Sequence, residues 1–282
     1  RVVIELTEES TPDDSGAVLE IIKMYRQEGY LIALDDIGAR SSNLDRIGFF
    51  QPDIIKVDME MVKRSIASRN FREILSSLAK LSESLGMALL IEGLEKKEEL
   101  QNALDNGARY LQGYLLSRPT EGLERHDVRP PALSTGLDEF FLRRVGDIQR
   151  TAQWKIDVKR RLANADLLLK KEGRLSEVVI DELWRADDTL LRLYVTNKQG
   201  VQISPNYSRL GTTKVEDSDF MGRNWSNRQY FFHHFQYRSE GGRGWCISEE
   251  YWDIHSRTLV RTLSRDLGRG EILFVDIEVD LR

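Results

Sequence analysis

Residues 1–118 alternate apolar runs short enough for strands with segments whose apolar residues recur at helical spacing, and this alternation restricts the fold most. The strand-like runs are Val2–Thr7, Tyr30–Asp35, Asp53–Asp58, Met87–Leu94 and Tyr110–Leu116. Helical patterns between them include Ala17–Gln27, Phe71–Leu85 and Lys96–Asn106. Gly29, Gly86 and Gly107 stand where helices should close, a position that favours a left-handed residue. A βαβα order of this kind calls for a parallel sheet with helices packed outside it. Five strands are visible, whereas a closed α/β barrel has eight. The chain opens at Arg1 within an apolar run, which reads as a cut through a strand.

Charged residues punctuate these runs in a consistent way. Alternation along Ile54-Ile55-Lys56-Val57-Asp58 puts Lys56 and Asp58 on one face, Ile55 and Val57 on the other. Glu5 lies between Ile4 and Leu6, Asp35-Asp36 closes Leu31-Ile32-Ala33-Leu34, and Glu92 follows Leu89-Leu90-Ile91. All are near the C-terminal ends of strands, where α/β barrels carry their active sites. One carboxylate there would be costly to keep ionised. Several on one rim repel each other, and divalent cations that favour oxygen ligands, Mg²⁺ or Mn²⁺, relieve that repulsion. Lys56 is placed to orient a water, and a two-metal clamp is a recurrent solution for phosphodiester hydrolysis. The rival reading is a set of unrelated strand-end ion pairs.

Glu5-Leu6-Thr7-Glu8, Asp35-Asp36-Ile37-Gly38, Lys56-Val57-Asp58, Glu92-Gly93-Leu94-Glu95 and Gln112-Gly113-Tyr114, then Ser117-Arg118-Pro119, resemble the successive motifs of the EAL family in order and spacing. The resemblance implies the later part of a (β/α) TIM-like barrel that hydrolyses cyclic di-GMP to linear pGpG with Mg²⁺ or Mn²⁺. It implies metal ligands at Glu5, Asp35 and Asp36, with Asp58 supporting the metal site and Lys56 positioning the nucleophilic water. By the same resemblance Glu92, Glu95 and Gln112 serve the water network and substrate phosphates, and Glu8 braces the loop after Asp36. The family's Glu-Ala-Leu segment and a metal-binding Asn would lie upstream of Arg1. Its loop after the Asp pair usually reads Asp-Asp-Phe-Gly-Thr-Gly-Tyr-Ser-Ser-Leu. Here Arg40 replaces a glycine and Ser41 an aromatic, within Ala39–Asn43.

The barrel-like region is expected over residues 1–122, a linker containing Pro130-Pro131 over 123–136, and a helical connector with a smaller domain over 137–282. The overall class is therefore α/β, a partial barrel followed by an α+β domain. Helical patterns run Leu137–Lys171 and Leu175–Asp187; the first is either an amphipathic helix packed on its own domain or a dimerising one. From Leu190 the chain is aromatic and β-rich, with a hairpin turn at Asn197-Lys198-Gln199-Gly200 and strands expected at Gly244–Tyr251, Thr258–Ser264 and Glu271–Val279. Trp225-Ser226-Asn227-Arg228-Gln229-Tyr230-Phe231, Ser248-Glu249-Glu250-Tyr251 and Phe274-Val275-Asp276 resemble a PAS-like or Cache-like sensor. That resemblance implies a small-molecule pocket in which Arg228 holds a carboxylate and Trp225 or Tyr230 covers it. The plainer reading makes these aromatics core and Arg228 a surface ion-pair partner. His233-His234, taken as neighbours on a strand, would face opposite ways and form no metal pair.

A net charge of −5 gives no basis for binding a nucleic-acid polymer or an anionic membrane surface. Cys246 is the only cysteine, so neither an internal disulfide nor a thiolate zinc cluster can form. No apolar stretch suffices to span a bilayer and no signal peptide opens the sequence, so a cytoplasmic location is expected. Three functions stay open: a cyclic-di-GMP phosphodiesterase, a receptor that binds the dinucleotide with little turnover, and a dimerising sensor scaffold. A homodimer is expected in each.

Overall fold

In the computed structural model, which describes residues 2–7, 15–37, 44–121, 129–210 and 213–279, the chain divides into two units, Arg1–Asp147 and Ile148–Arg282. The first unit begins β1 (Val3–Leu6), α1 (Ser15–Gln27), β2 (Leu31–Ile37), α2 (Leu44–Phe50) and β3 (Ile54–Val57). It continues α3 (Met59–Ala67), α4 (Arg69–Ser84), β4 (Ala88–Ile91), α5 (Lys97–Asp105) and β5 (Tyr110–Leu111). The five strands pair in sequence order, β1-β2-β3-β4-β5, and every pair is parallel. Ile32, Leu34, Ile55, Val57, Leu89 and Ile91 bury one face of this sheet against Ile22, Leu75 and Leu100 of the helices. Lys56, Asp35 and Glu5 alternate with that set, so the sheet's other face carries the charges.

Two short helices escape a periodicity reading. Asp58 follows β3 directly and N-caps α3, its carboxylate accepting from Glu60 N at 2.7 Å. The strand-to-helix switch therefore occurs without a loop that punctuation residues would mark.

Helix α6 (Pro131–Arg161) starts inside the stretch expected to be linker: residues 131–136 are helical, and 122–128 lie outside the described residues. Proline fits the first turn of a helix, where its missing N–H costs no bond, so Pro130-Pro131 marks a start here rather than a break. Leu133, Leu137 and Phe140 pack on the first unit's core. The single long helix expected to Lys171 is two, because the chain turns at Leu162 (φ −81°, ψ 5°) before α7 (Ala163–Glu172).

The second unit continues with α8 (Glu177–Ala186), β6 (Leu190–Asn197), β7 (Asn206–Leu210), β8 (Thr213–Asp217) and α9 (Gln229–Ser239). It closes with β9 (Cys246–Ile247), β10 (Tyr251–Trp252), β11 (Leu259–Gly268) and β12 (Glu271–Glu278). The strands form a separate antiparallel sheet, β10-β11-β12-β6-β7-β8, with β9 also on β11. One face, with Leu193, Leu263, Leu273 and Val275, packs on Val158, Leu162, Leu183 and Trp184. The other, with Tyr194 and Phe274, packs on Tyr230 and Phe231 of α9. His233 and His234 belong to that helix, not to a strand; buried contacts on its aromatic side override β-propensity. Among the described residues no helix is long and apolar enough to cross a membrane.

Candidate functional site

At the C-terminal ends of the parallel strands, Lys56 of β3 is 5% exposed and surrounded by carboxylates. Its Nζ lies 2.9 Å from Glu5 Oε2 of β1, 2.9 Å from Asp35 Oδ1 of β2 and 3.2 Å from Glu92 Oε2 just after β4. Burial alone would lower the lysine pKa. Hydrogen bonds to Asp35 and Glu5 and the charge of Glu92 override it and hold the ammonium above its ordinary range. Glu92 shifts the other way from most paired carboxylates. Burial raises its pKa, Lys56 only partly offsets that, and Asp35 and Asp36 add to the rise.

Asp35, Asp36 and Glu92 bring ligand oxygens within 4.8 Å of one another. Adjacent residues on a regular strand would point apart, yet both aspartates reach this cluster. The register of β2 against β3 shifts between Leu34 and Ile37, and Asp36 takes φ 57°. A bulge with one left-handed residue turns the second carboxylate toward the first, and aspartate tolerates that conformation better than most residues. Three half-buried oxygen donors with no thiolate or imidazole suit a hard divalent cation. Strand periodicity does not reveal this bulge; the doubled Asp-Asp is its one trace in the sequence.

The other expected site residues are placed differently. Glu5 joins the group through Lys56 and is not among the three clustered carboxylates. Asp58 is engaged as the α3 cap, outside that cluster. Glu95 is exposed and lies 3.7 Å from Lys63. The Gln112 side chain is exposed, while its backbone bridges Ile91 O and Leu94 N. Glu8 and Ala39–Asn43 lie outside the described residues.

The turn after Glu92 is tightly held. Gly93 has φ 68°, and a Cβ there would meet Met59 Cβ at 2.6 Å. A Cβ on Gly113 would lie 2.2 Å from the backbone N and O of Leu94. Glu99, 2% exposed, accepts from Glu95 N at 2.8 Å and Lys96 N at 2.9 Å through one oxygen. Sequence reasoning does not single out Glu99, although a glutamate three residues after a helix's N-cap is a recognisable capping signal.

In the second unit, Tyr230 is buried in the aromatic core, and Trp225 packs on that core and donates to Gln202 Oε1 at 2.8 Å. The Arg228 guanidinium lies 5.8 Å from the ring centroid of Tyr251, and its Nε is buried without a hydrogen-bond partner. A groove of about 470 Å³ opens beside it, lined by Arg228, Tyr230, His233, Glu249, Glu250 and Tyr251 among others. Trp225 borders instead an adjoining cavity of only about 10 Å³, with Arg192 and Asp253. Arg192 bonds Asp276 at 2.6 Å and Asp253 at 2.7 Å. Buried Asp253 would otherwise rise in pKa, but hydrogen bonds from Arg192 and from Ser256 N, with the Arg192 charge, hold it at about 2. Tyr230 and Trp225 thus belong to the aromatic core, while Arg228 and Tyr230 also border the groove.

The family model of the EAL domain matches residues 1–119, and that of the EAL-domain associated signalling protein domain matches residues 127–281. The uncharacterized EAL-domain containing protein YkuI of Bacillus subtilis is 30% identical over 282 residues, 98% of this chain and 68% of that protein. The cyclic di-GMP phosphodiesterase RocR of Pseudomonas aeruginosa is 33% identical over 118 residues, 42% of this chain and 30% of RocR. The crystal structure of Bacillus subtilis YkuI in complex with substrate c-di-GMP and calcium superposes with a TM-score of 0.86 at 29% identity. That match covers 99% of this chain and 70% of the YkuI chain.

Proposed function

Because this chain belongs to the family of EAL-domain proteins that carry an EAL-domain associated signalling domain, we propose that its first unit binds cyclic di-GMP at the carboxylate-rimmed strand ends and hydrolyses it to pGpG. The observation that carries this reading is Lys56 among Glu5, Asp35 and Glu92, supplied by successive strands. The clustered Asp35 and Asp36, with Glu5 linked to them through Lys56, would hold Mg²⁺ or Mn²⁺, and Asp58 would brace that site; bound there, the cation would offset carboxylate charge and polarise the phosphodiester. Lys56 donates hydrogen bonds that align the attacking water. Glu92, its pKa raised, is suited to take the proton from that water. Glu95 and Gln112 serve the water network and the substrate phosphates.

One sequence observation favours a second reading, a receptor with little turnover: Arg40 stands where the family's loop has glycine, in the loop that follows the two clustered aspartates. In both readings the protein works in the cytoplasm as a homodimer, for which exposed Phe141 and Leu142 on α6 offer apolar surface. The second unit acts as a PAS- or Cache-like sensor whose groove beside Arg228 and Tyr230 takes a small anionic molecule, with Trp225 packed behind them.

Steady-state release of pGpG by the full-length protein, followed by chromatography, tests the hydrolytic reading. Wild type should turn over slowly, and Lys56→Ala should lose at least a hundredfold in kcat while KM changes little, since a water-positioning group acts mainly in the transition state. Retained kcat with a raised KM would make Lys56 a binding residue, and no release by wild type would favour the receptor.

A further inference from the structure

We propose that Glu99 is the positioning residue of the turn that presents Glu92 and Glu95. The turn leaves β4 at Ile91 and enters α5 at Lys97, so its backbone N–H groups fall between strand ladder and helix ladder. Leu94 N finds a partner in Gln112 O at 3.0 Å. The N–H groups of Glu95 and Lys96 are taken by one oxygen of Glu99, at 2.8 and 2.9 Å. A carboxylate 2% exposed would be costly without compensation. Here two charge-assisted bonds and the amino-terminal end of α5 stabilise it, and it fixes the turn in return. Glu92 meets Lys56 at 3.2 Å from one end of this turn, and Glu95 lies 3.7 Å from Lys63 at the other. Gly93 is pressed on Met59 and Leu94 on Gly113, and Glu99 adds a carboxylate that holds the turn by its backbone N–H groups.

Losing this anchor frees two backbone donors and lets the Glu92 carboxylate drift from its partners. A displacement of about 1 Å at a reacting group costs on the order of a hundredfold in rate. The inference rests on the hydrolytic reading above, so its test has an arm that does not need turnover. In the full-length protein, Glu99→Ala should lower kcat roughly ten- to hundredfold with KM little changed. Glu99→Gln keeps an acceptor oxygen and should behave close to wild type. Glu99→Asp, one methylene shorter, should fall between them and replaces the alanine variant if that does not fold. Amide hydrogen exchange at Glu95 and Lys96 should accelerate in Glu99→Ala or Glu99→Asp and stay slow in Glu99→Gln. A lowered thermal midpoint with wild-type kcat would reduce Glu99 to a stability role and overturn the proposal, as would equal impairment by alanine and glutamine. If wild type itself releases no pGpG, the hydrolytic reading fails and exchange alone decides. Unaltered exchange in Glu99→Ala would then sink the positioning role.

Discussion

A lysine buried among Glu5, Asp35 and Glu92, with Asp36 beside them, sits in an excess of negative charge that one ammonium does not cancel. Stability alone gives little reason for such a site, since buried ion pairs recover their desolvation cost only with good geometry and full pairing. A recruited cation, as proposed above, would supply the missing charge. His234 is buried with a different consequence. Its Nδ1 is 2.8 Å from Ser264 Oγ, and burial, opposed by Asp266 and helped by Arg238 and Arg265, lowers its pKa from 6.5 to about 4. Between those values the unfolded chain binds a proton that the folded one refuses, so stability falls as pH drops from 6.5 toward 4 and is insensitive to this group above 6.5. Urea unfolding of the second unit, followed by tryptophan fluorescence, should show a lower midpoint at pH 4.5 than at 7.5, and His234→Gln should flatten that difference. Identical pH profiles for the two proteins would remove His234 from the account.

At the scale of elements, backbone fit is exacting where the turn after β4 meets Gly113, just past β5. Gly113→Ala forces a Cβ to 2.2 Å from Leu94 backbone atoms at φ 155°, so one segment must move. A loss of about 2–3 kcal/mol should lower the first unit's thermal midpoint by roughly 5 °C or more, measurable by calorimetry; an unchanged midpoint would mean that the turn yields freely. Strand identity in this unit was readable because each buried strand is a compact apolar run closed by a charge. The bulge at Asp35-Asp36 was not, since period-2 reasoning has no term for a residue that leaves the ladder. Pro131 reads as punctuation in the sequence because proline both stops helices and starts them, and only packing of Leu133 and Leu137 on the core decides. The His233-His234 pair, taken as strand neighbours in the sequence, lies in α9, where tertiary contacts outweigh propensity. In the site, Lys56 and Glu92 are legible from strand ends, whereas Glu99 works through backbone groups and leaves only its place three residues after the N-cap Lys96 as a sequence signal.

For the molecule as a whole, the proposed function has a chain of net charge −5 taking up a doubly anionic dinucleotide in its first unit. That is reasonable only if cations bind first, because bound divalent ions invert the local charge of a carboxylate cluster. The most direct test is calorimetric titration of cyclic di-GMP into the full-length protein, in Mg²⁺ and again in EDTA, for wild type and Asp35→Asn. Saturable binding to wild type in Mg²⁺, lost in EDTA and weakened at least tenfold by Asp35→Asn, is the expected result. Equal affinity with and without the cation, or no binding under either condition, would contradict the account.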